Sequence, residues 1–324
     1  MRLRAVLALF ALGLGTALVA ATVPGSADAK ESAPSRADFA GGGAEEGGCG
    51  GHASEDGSER AYFGQAPPGP EPEVFAPGIV SDAGYRLHGF PTFSPDLKEV
   101  IWPIVPPAVL RSRFEDNGWT EPAPLGLPAR GVQAPFFSPD GSRLWFQGVH
   151  ESGRGSLDIM YVDWSDGLPG TLHLPGEPLN SAELQSQPTV SDDGTVCFAG
   201  FLAGVGFERG IYLFRETGDG YSEPELVGSD VNTEFIDAYP FLTRSGDCLL
   251  FASSRPSMEE DLHLRAVFAD SSGEWCESVN VSDALGLAGS ARFPAVSPDG
   301  RCLFFLSEGL IYWVDFGVVE RLRP

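Results

Sequence analysis

The chain writes one phrase five times: a proline, two apolar residues, Ser or Thr, a tight turn, then an apolar run. The copies are PTFSPD from Pro91, PFFSPDG from Pro135, PTVSDDG from Pro188, PFLTRSG from Pro240 and PAVSPDG from Pro294. Successive prolines stand 44, 53, 52 and 54 residues apart. A period of this size marks a repeat architecture, because one unit cannot bury its apolar face alone and must stack on its neighbours.

Each unit reads as four short antiparallel strands. In the copy at Pro135, residues 134–138 form a first strand, and Pro139, Asp140 and Gly141 supply the turn. Proline presets φ there, aspartate bonds its own backbone, and glycine accepts positive φ. Residues 143–148 and 158–164 are β-branched or aromatic runs, hence second and third strands, and a weaker fourth leads to residues 178–180. The third copy repeats this order at residues 196–201, 210–216 and 221–228, and the fourth at 248–254, 261–268 and 275–281. No stretch carries a 3.6-residue apolar period. Four strands per unit predict an all-β fold, a single β-propeller.

The last copy has strands at residues 302–307 and 309–316 and no fourth strand after them. Residues 72–81, PEVFAPGIVS, match residues 224–233, PELVGSDVNT, which end the third copy. The N-terminal strand is therefore expected to complete the last blade, closing the ring and removing its free edges. That counts five four-stranded blades. Six would require a further copy, and none is found.

Outside the repeat, residues 1–29 read as a signal peptide: a basic start, an apolar run over residues 5–23, and Ala27-Asp28-Ala29 before Lys30. Residues 30–60 are rich in Gly, Ser and acidic residues, with too few apolar groups to offset the entropy of ordering, and read as a disordered tether. Residues 61–324 are assigned to the propeller. Loss of Arg2, Arg4 and Asp28 with the signal peptide moves the formal charge from −24 to −25. Such a charge argues against nucleic acid or anionic lipid as a partner. The expectation is an exported chain, periplasmic or extracellular, monomeric and without a membrane span after cleavage. Of the five cysteines, Cys197, Cys248 and Cys302 fall in second strands and read as buried residues, and no disulfide is assigned. Neither the Cys49 and His52 pair nor the turn aspartates Asp96, Asp140, Asp193 and Asp299 supply a metal site. Trp119, Tyr221 and Trp275, just before each fourth strand, are expected to pack between blades.

The phrase PxxSPDGxxLxF, followed by Asp158-Ile159 or Asp261-Leu262 and by GWTEP at residues 118–122, resembles the TolB-type, WD40-like propeller repeat over residues 62–324. The start YFGQAPPG and the end IYWVD resemble exported bacterial proteins built from this repeat. The resemblance implies a propeller that binds a protein, peptide or glycan in the cell envelope. The chain departs from TolB in lacking a separate N-terminal α/β domain, and from propeller-bearing prolyl peptidases in lacking a GxSxG elbow.

No HExxH, P-loop or strand-to-helix GxGxxG is present, and no cofactor is expected. The five histidines, His52, His88, His150, His173 and His263, are scattered. In a propeller the first strand of each blade lines the channel. Two or three positions before the repeat prolines stand His88, Gln133, Gln185, Asp237 and Arg292, the candidate ligand ring at the channel mouth. Glu183 and Glu234 lie just upstream. The competing reading is a propeller glycoside hydrolase, which needs two carboxylates converging on the mouth.

Overall fold

A computed structural model describes residues 61–324, apart from 107, 117, 154–156, 182–183, 202–208, 219, 229 and 257–260. The expected signal peptide (1–29), tether (30–60), Cys49–His52 pair and Glu183 lie outside the described residues.

Five small antiparallel sheets succeed one another along the chain and form the blades of a propeller. Blade 1 pairs Glu99–Val105 with Ala108–Glu115, and an interrupted inner strand, Arg86–Leu87 and Thr92–Phe93, runs along Glu99–Val105. Blade 2 is Arg130–Phe137, Arg143–Val149, Asp158–Ser165 and Leu168–His173. Blade 3 is Gln185–Val190, Thr195–Phe201 and Arg209–Thr217, with Gly220–Tyr221 and Glu225–Leu226 outermost. Blade 4 is Asp237–Leu242, Cys248–Ser253, His263–Phe268 and Val279–Asn280. Blade 5 is Ala291–Val296, Cys302–Ser307, Leu310–Asp315 and, as its outer strand, Glu73–Val74.

The closure read from the matching segments is present. Glu73 lies opposite Trp313 and Val74 opposite Tyr312. In blade 3, Glu225 and Leu226 stand opposite Leu213 and Tyr212 in the same way. In blades 2 to 5 a polar side chain after the outer strand then ties the start of the third strand. Asn180 accepts from Ile159 N at 2.8 Å, Asn232 from Ile211 N at 2.7 Å, Ser282 from Leu264 N at 2.8 Å, and Ser81 from Ile311 N at 3.0 Å. Ser81 thus takes the role in the last blade that Asn232 takes in the third.

Two boundaries differ from the sequence reading. The outer strand of blade 2 follows its turn at once, at Leu168–His173, and residues 178–180 instead carry the tie made by Asn180. Two single-turn helices, Val281–Ala284 and Gly317–Glu320, are too short to leave an apolar period.

The second strands are buried on both faces, as in blades 2 and 4, because each blade is sandwiched between two others. That is why they read as unbroken apolar runs instead of alternating. Trp102, Trp145, Phe198, Phe251 and Phe304 are large fully buried side chains, one from each of the five second strands. Cys197, Cys248 and Cys302 are buried thiols in three of those strands, and burial raises Cys302 to about 12. Of the aromatics before the outer strands, Trp119 meets Phe63 at 4.6 Å and Phe114 at 5.9 Å. Tyr221 and Trp275 are half-buried against the core.

Every SPDG-type turn closes on itself. Ser94, Ser138 and Ser191 donate to Asp96, Asp140 and Asp193 at 2.6 Å, and Ser297 to Asp299 at 2.5 Å. In the fourth copy Ser245 donates to Asp247. The turn aspartates are thereby accounted for as structure.

Candidate functional site

The inner strands hold the site, and all are bent at one place. The residue before the proline has positive φ in four blades: Ala134 (48°), Gln187 (55°), Tyr239 (55°) and Phe293 (55°). At that point the inner strand slips against the second strand, between Gln133 and Phe136, Ser186 and Thr189, Ala238 and Phe241, and Arg292 and Ala295. These are β-bulges with a left-handed residue. In blade 1 Gly89, at φ 147°, interrupts the strand instead. A left-handed conformation at a non-glycine residue costs on the order of 1–3 kcal/mol, so the surrounding fold imposes it.

Just beyond the bulges the channel is plugged. Phe241 of blade 4 meets Phe90 of blade 1 at 5.9 Å and Phe136 of blade 2 at 5.8 Å, contacts that reach across the axis. On the turn side of this plug lies a small opening of about 30 Å³ lined by Phe90, Phe136 and Phe241. Hydroxyls tie the inner strands together here: Phe137 N–H donates to Thr92 Oγ1 and Leu242 N–H to Thr189 Oγ1, both at 3.1 Å.

On the other side of the plug, the five candidate residues do not form one ring. Gln185 is fully buried and staples its own blade: its Nε2 donates to Ser181 Oγ at 2.8 Å and Phe201 O at 2.9 Å, and its Oε1 accepts from Ser181 N at 3.2 Å. Asp237 takes the same part in blade 4, accepting from Thr233 N at 2.9 Å and Thr233 Oγ1 at 2.6 Å and pairing with Arg255 at 3.2 Å. Both stand three residues before the proline, and Gln133 and Arg292 stand two before it. One step along a strand turns the side chain to the other face.

Gln133, Arg292 and His88 remain at the mouth. The Gln187 main-chain N–H donates to Gln147 Oε1 at 2.8 Å, and Gln147 Nε2 donates to Gln133 Oε1 at 3.2 Å. Because a backbone N–H can only donate, it fixes the orientation of both amides. Gln133 Nε2 is left as a buried donor with no protein partner. The His88 ring lies 5.1 Å from Phe293, and Phe293 lies 4.1 Å from Tyr239. The Arg292 guanidinium sits 6.0 Å from the Phe293 ring. His88 Nδ1 is buried without a partner. Burial, then the nearby Arg292 and Arg86 charges, hold His88 neutral, with a pKa of about 4.

Gln147, Gln187, Tyr239 and Phe293 were not among the sequence candidates. Three of them stand immediately before a repeat proline, and that position is the signal that would have found them. Glu234 is exposed. Among the described residues of the five inner strands Asp237 is the only carboxylate, and no three His, Cys, Asp or Glu side chains come together in a metal-binding cluster.

A second opening of about 510 Å³ lies between blades 1 and 2, with Glu99 in its wall. Glu99 accepts from Trp164 Nε1 at 3.3 Å and pairs with Arg111 at 3.4 Å. Burial raises its carboxyl above the usual range despite Arg111. These contacts fasten one blade to the next.

No family model and no curated protein matches the chain. Among solved structures, it is similar to TolB of Acinetobacter baumannii, with 16% identity and a TM-score of 0.45 over 71% of this chain and 54% of that one. It thus spans about half the length of that protein. A putative TolB of Agrobacterium tumefaciens matches at 17% identity and TM-score 0.38, over 70% of this chain and 90% of that one. A gluconolactonase of Xanthomonas campestris matches at 13% identity and TM-score 0.47, over 76% of this chain and 97% of that one.

Proposed function

We propose that the protein is an exported, non-catalytic propeller that binds a protein, peptide or glycan of the cell envelope at its channel mouth. The observation that carries this reading is the mouth itself. Strained backbone there presents Arg292, Gln133 and His88 beside the aromatic rings of Phe293 and Tyr239, above a plugged channel. The plug makes the mouth a shallow seat and not a passage. Polar groups beside a half-buried aromatic ring, that of Tyr239, suit recognition of a partner's tip.

Export and the tether rest on the sequence of residues 1–60, and a monomer on the strong negative charge. No helix among the described residues is long and apolar enough to cross a membrane. A glycoside hydrolase would need two carboxylates roughly 5–10 Å apart at the mouth. Asp237 is already held by Arg255 and Thr233, on the face turned away from the mouth.

The test is capture from native envelope extract on the full exported chain, compared with Arg292→Ala. The expected result is a retained partner that the variant loses. Retention of nothing, or release of aryl aglycones at a rate that Asp237→Asn abolishes, refutes the reading.

A further inference from the structure

The mouth shows which chemical group it takes, an inference that rests on the binding reading above. Its unmatched groups are of one kind. Gln133 Nε2 is a donor fixed by the amide relay from Gln187 N–H and has no acceptor. Arg292, half-buried, brings five N–H donors, and no carboxylate pairs with it among the described residues. Gln133 and Arg292 hold the same repeat position, two residues before Pro135 and Pro294, and so the same level of the channel wall. His88 Nδ1, buried beside Phe293 and without a partner, completes the set.

The charges acting most on His88 are Arg292 and Arg86, both cationic. Two cationic groups so placed contrast with a chain of formal charge −24 overall. An arginine left without a carboxylate in so acidic a protein is held apart for an anion from outside.

We propose that the channel mouth binds the terminal carboxylate of a peptide, with Arg292 and Gln133 donating to its oxygens and the last side chain lying against the half-buried ring of Tyr239. A carboxylate only accepts hydrogen bonds; Arg292 and Gln133 Nε2 only donate, and neutral His88 can present an N–H. A sugar has hydroxyls around its ring that both donate and accept. To those hydroxyls Arg292 and Gln133 Nε2 offer donors only. A flat anion followed by an apolar side chain satisfies every group present.

The test is calorimetric titration of the full exported chain with acetylated alanyl-alanyl-phenylalanine as the free acid and as its C-terminal amide, at low salt. The acid is expected to saturate the protein and to bind roughly ten- to hundredfold more tightly than the amide, the range of a charge-assisted hydrogen bond. Arg292→Gln is expected to abolish the difference between acid and amide, and Gln133→Glu to weaken the acid more than the amide. Arg292 makes no hydrogen bond that the fold requires, so an unchanged thermal melt verifies that the variant is folded. Acid and amide binding alike, a preference surviving Arg292→Gln, or galacturonic acid binding in the peptide's place overturns the carboxylate-terminus assignment. In each of those outcomes a partner retained from envelope extract still supports the broader binding reading, so the two fail separately.

Discussion

Phe75 is the side chain on which closure of the ring can be tested most directly. It is fully buried, next to the strand Glu73–Val74 that completes blade 5. Its ring lies 5.0 Å from Phe304 and 5.1 Å from Trp313 of blade 5, and 6.0 Å from Phe93 of blade 1. One side chain therefore joins the N-terminal segment, the last blade and the first. Phe75→Ala removes the transfer free energy of the ring and leaves a cavity between packed aromatics that cannot collapse, a cost of about 3–5 kcal/mol. Edge-on ring pairs add roughly 0.5–1.5 kcal/mol. Against a total stability of ~5–15 kcal/mol this is a large share. Leu226→Ala is the control: it occupies the same register position in blade 3 as Val74 does in blade 5, is 42% exposed, and is expected to cost under ~1 kcal/mol. Equilibrium urea unfolding of both variants provides the comparison, with a midpoint shift of ~1 M expected for Phe75→Ala at a slope near ~3 kcal/mol/M. If the two variants unfold within ~1 kcal/mol of each other at equal slope, the N-terminal segment is not what closes the ring.

Two further outcomes follow from the mouth. His88 has a folded pKa near 4 against its ordinary 6.5, so the fold favours its neutral form. Its contribution is whole above pH ~6.5 and is lost as pH falls toward ~4, about 2 kcal/mol of it by pH 5. Stability curves of wild type and His88→Gln measured between pH 7 and 5 should converge by that amount, and parallel curves would show that His88 is not held neutral. At Ala134, φ 48° places the backbone where glycine is at ease. Glycine in a strand ordinarily costs ~0.5–1 kcal/mol, but Ala134→Gly should leave the melting temperature unchanged or raise it, and a clear drop in a calorimetric scan would count against the bulge.

Much of this architecture could be read from residues alone, because its signals are local. The turn phrase needs Ser, Asp and Gly for bonds made within five residues, as at Ser138, Asp140 and Arg143, so the code survives in one copy and repeats in the rest. The segment 72–81 was legible because it carries a whole outer strand's pattern, displaced to the far end of the chain. The mouth was harder. The candidates stand at two offsets from the proline, two residues and three, and one step along a strand changes the face. Gln185 and Asp237 consequently face their own blades, and Gln187 and Tyr239 come into the wall of the mouth unannounced. The relay through Gln147 was out of reach, because it depends on a register across two blades that no local pattern encodes.

The pairing of Glu73 with Trp313 also orders events in time. The ribosome makes the outer strand of blade 5 before blade 1 and its partner, Leu310–Asp315, only after blade 4. Blades 2 to 4 can each fold from consecutive residues, but the fifth must wait for nearly the entire chain. Closing a loop of some 240 residues costs about 1.4 kcal/mol more than closing one of 50, a modest term by itself. The larger consequence is that Phe75 and Val80 have no place to pack until Leu310–Asp315 has been made, leaving an adhesive apolar segment uncovered while the earlier blades form. Until Leu310–Asp315 is made the ring stays open, and it closes only when that strand meets Glu73–Val74.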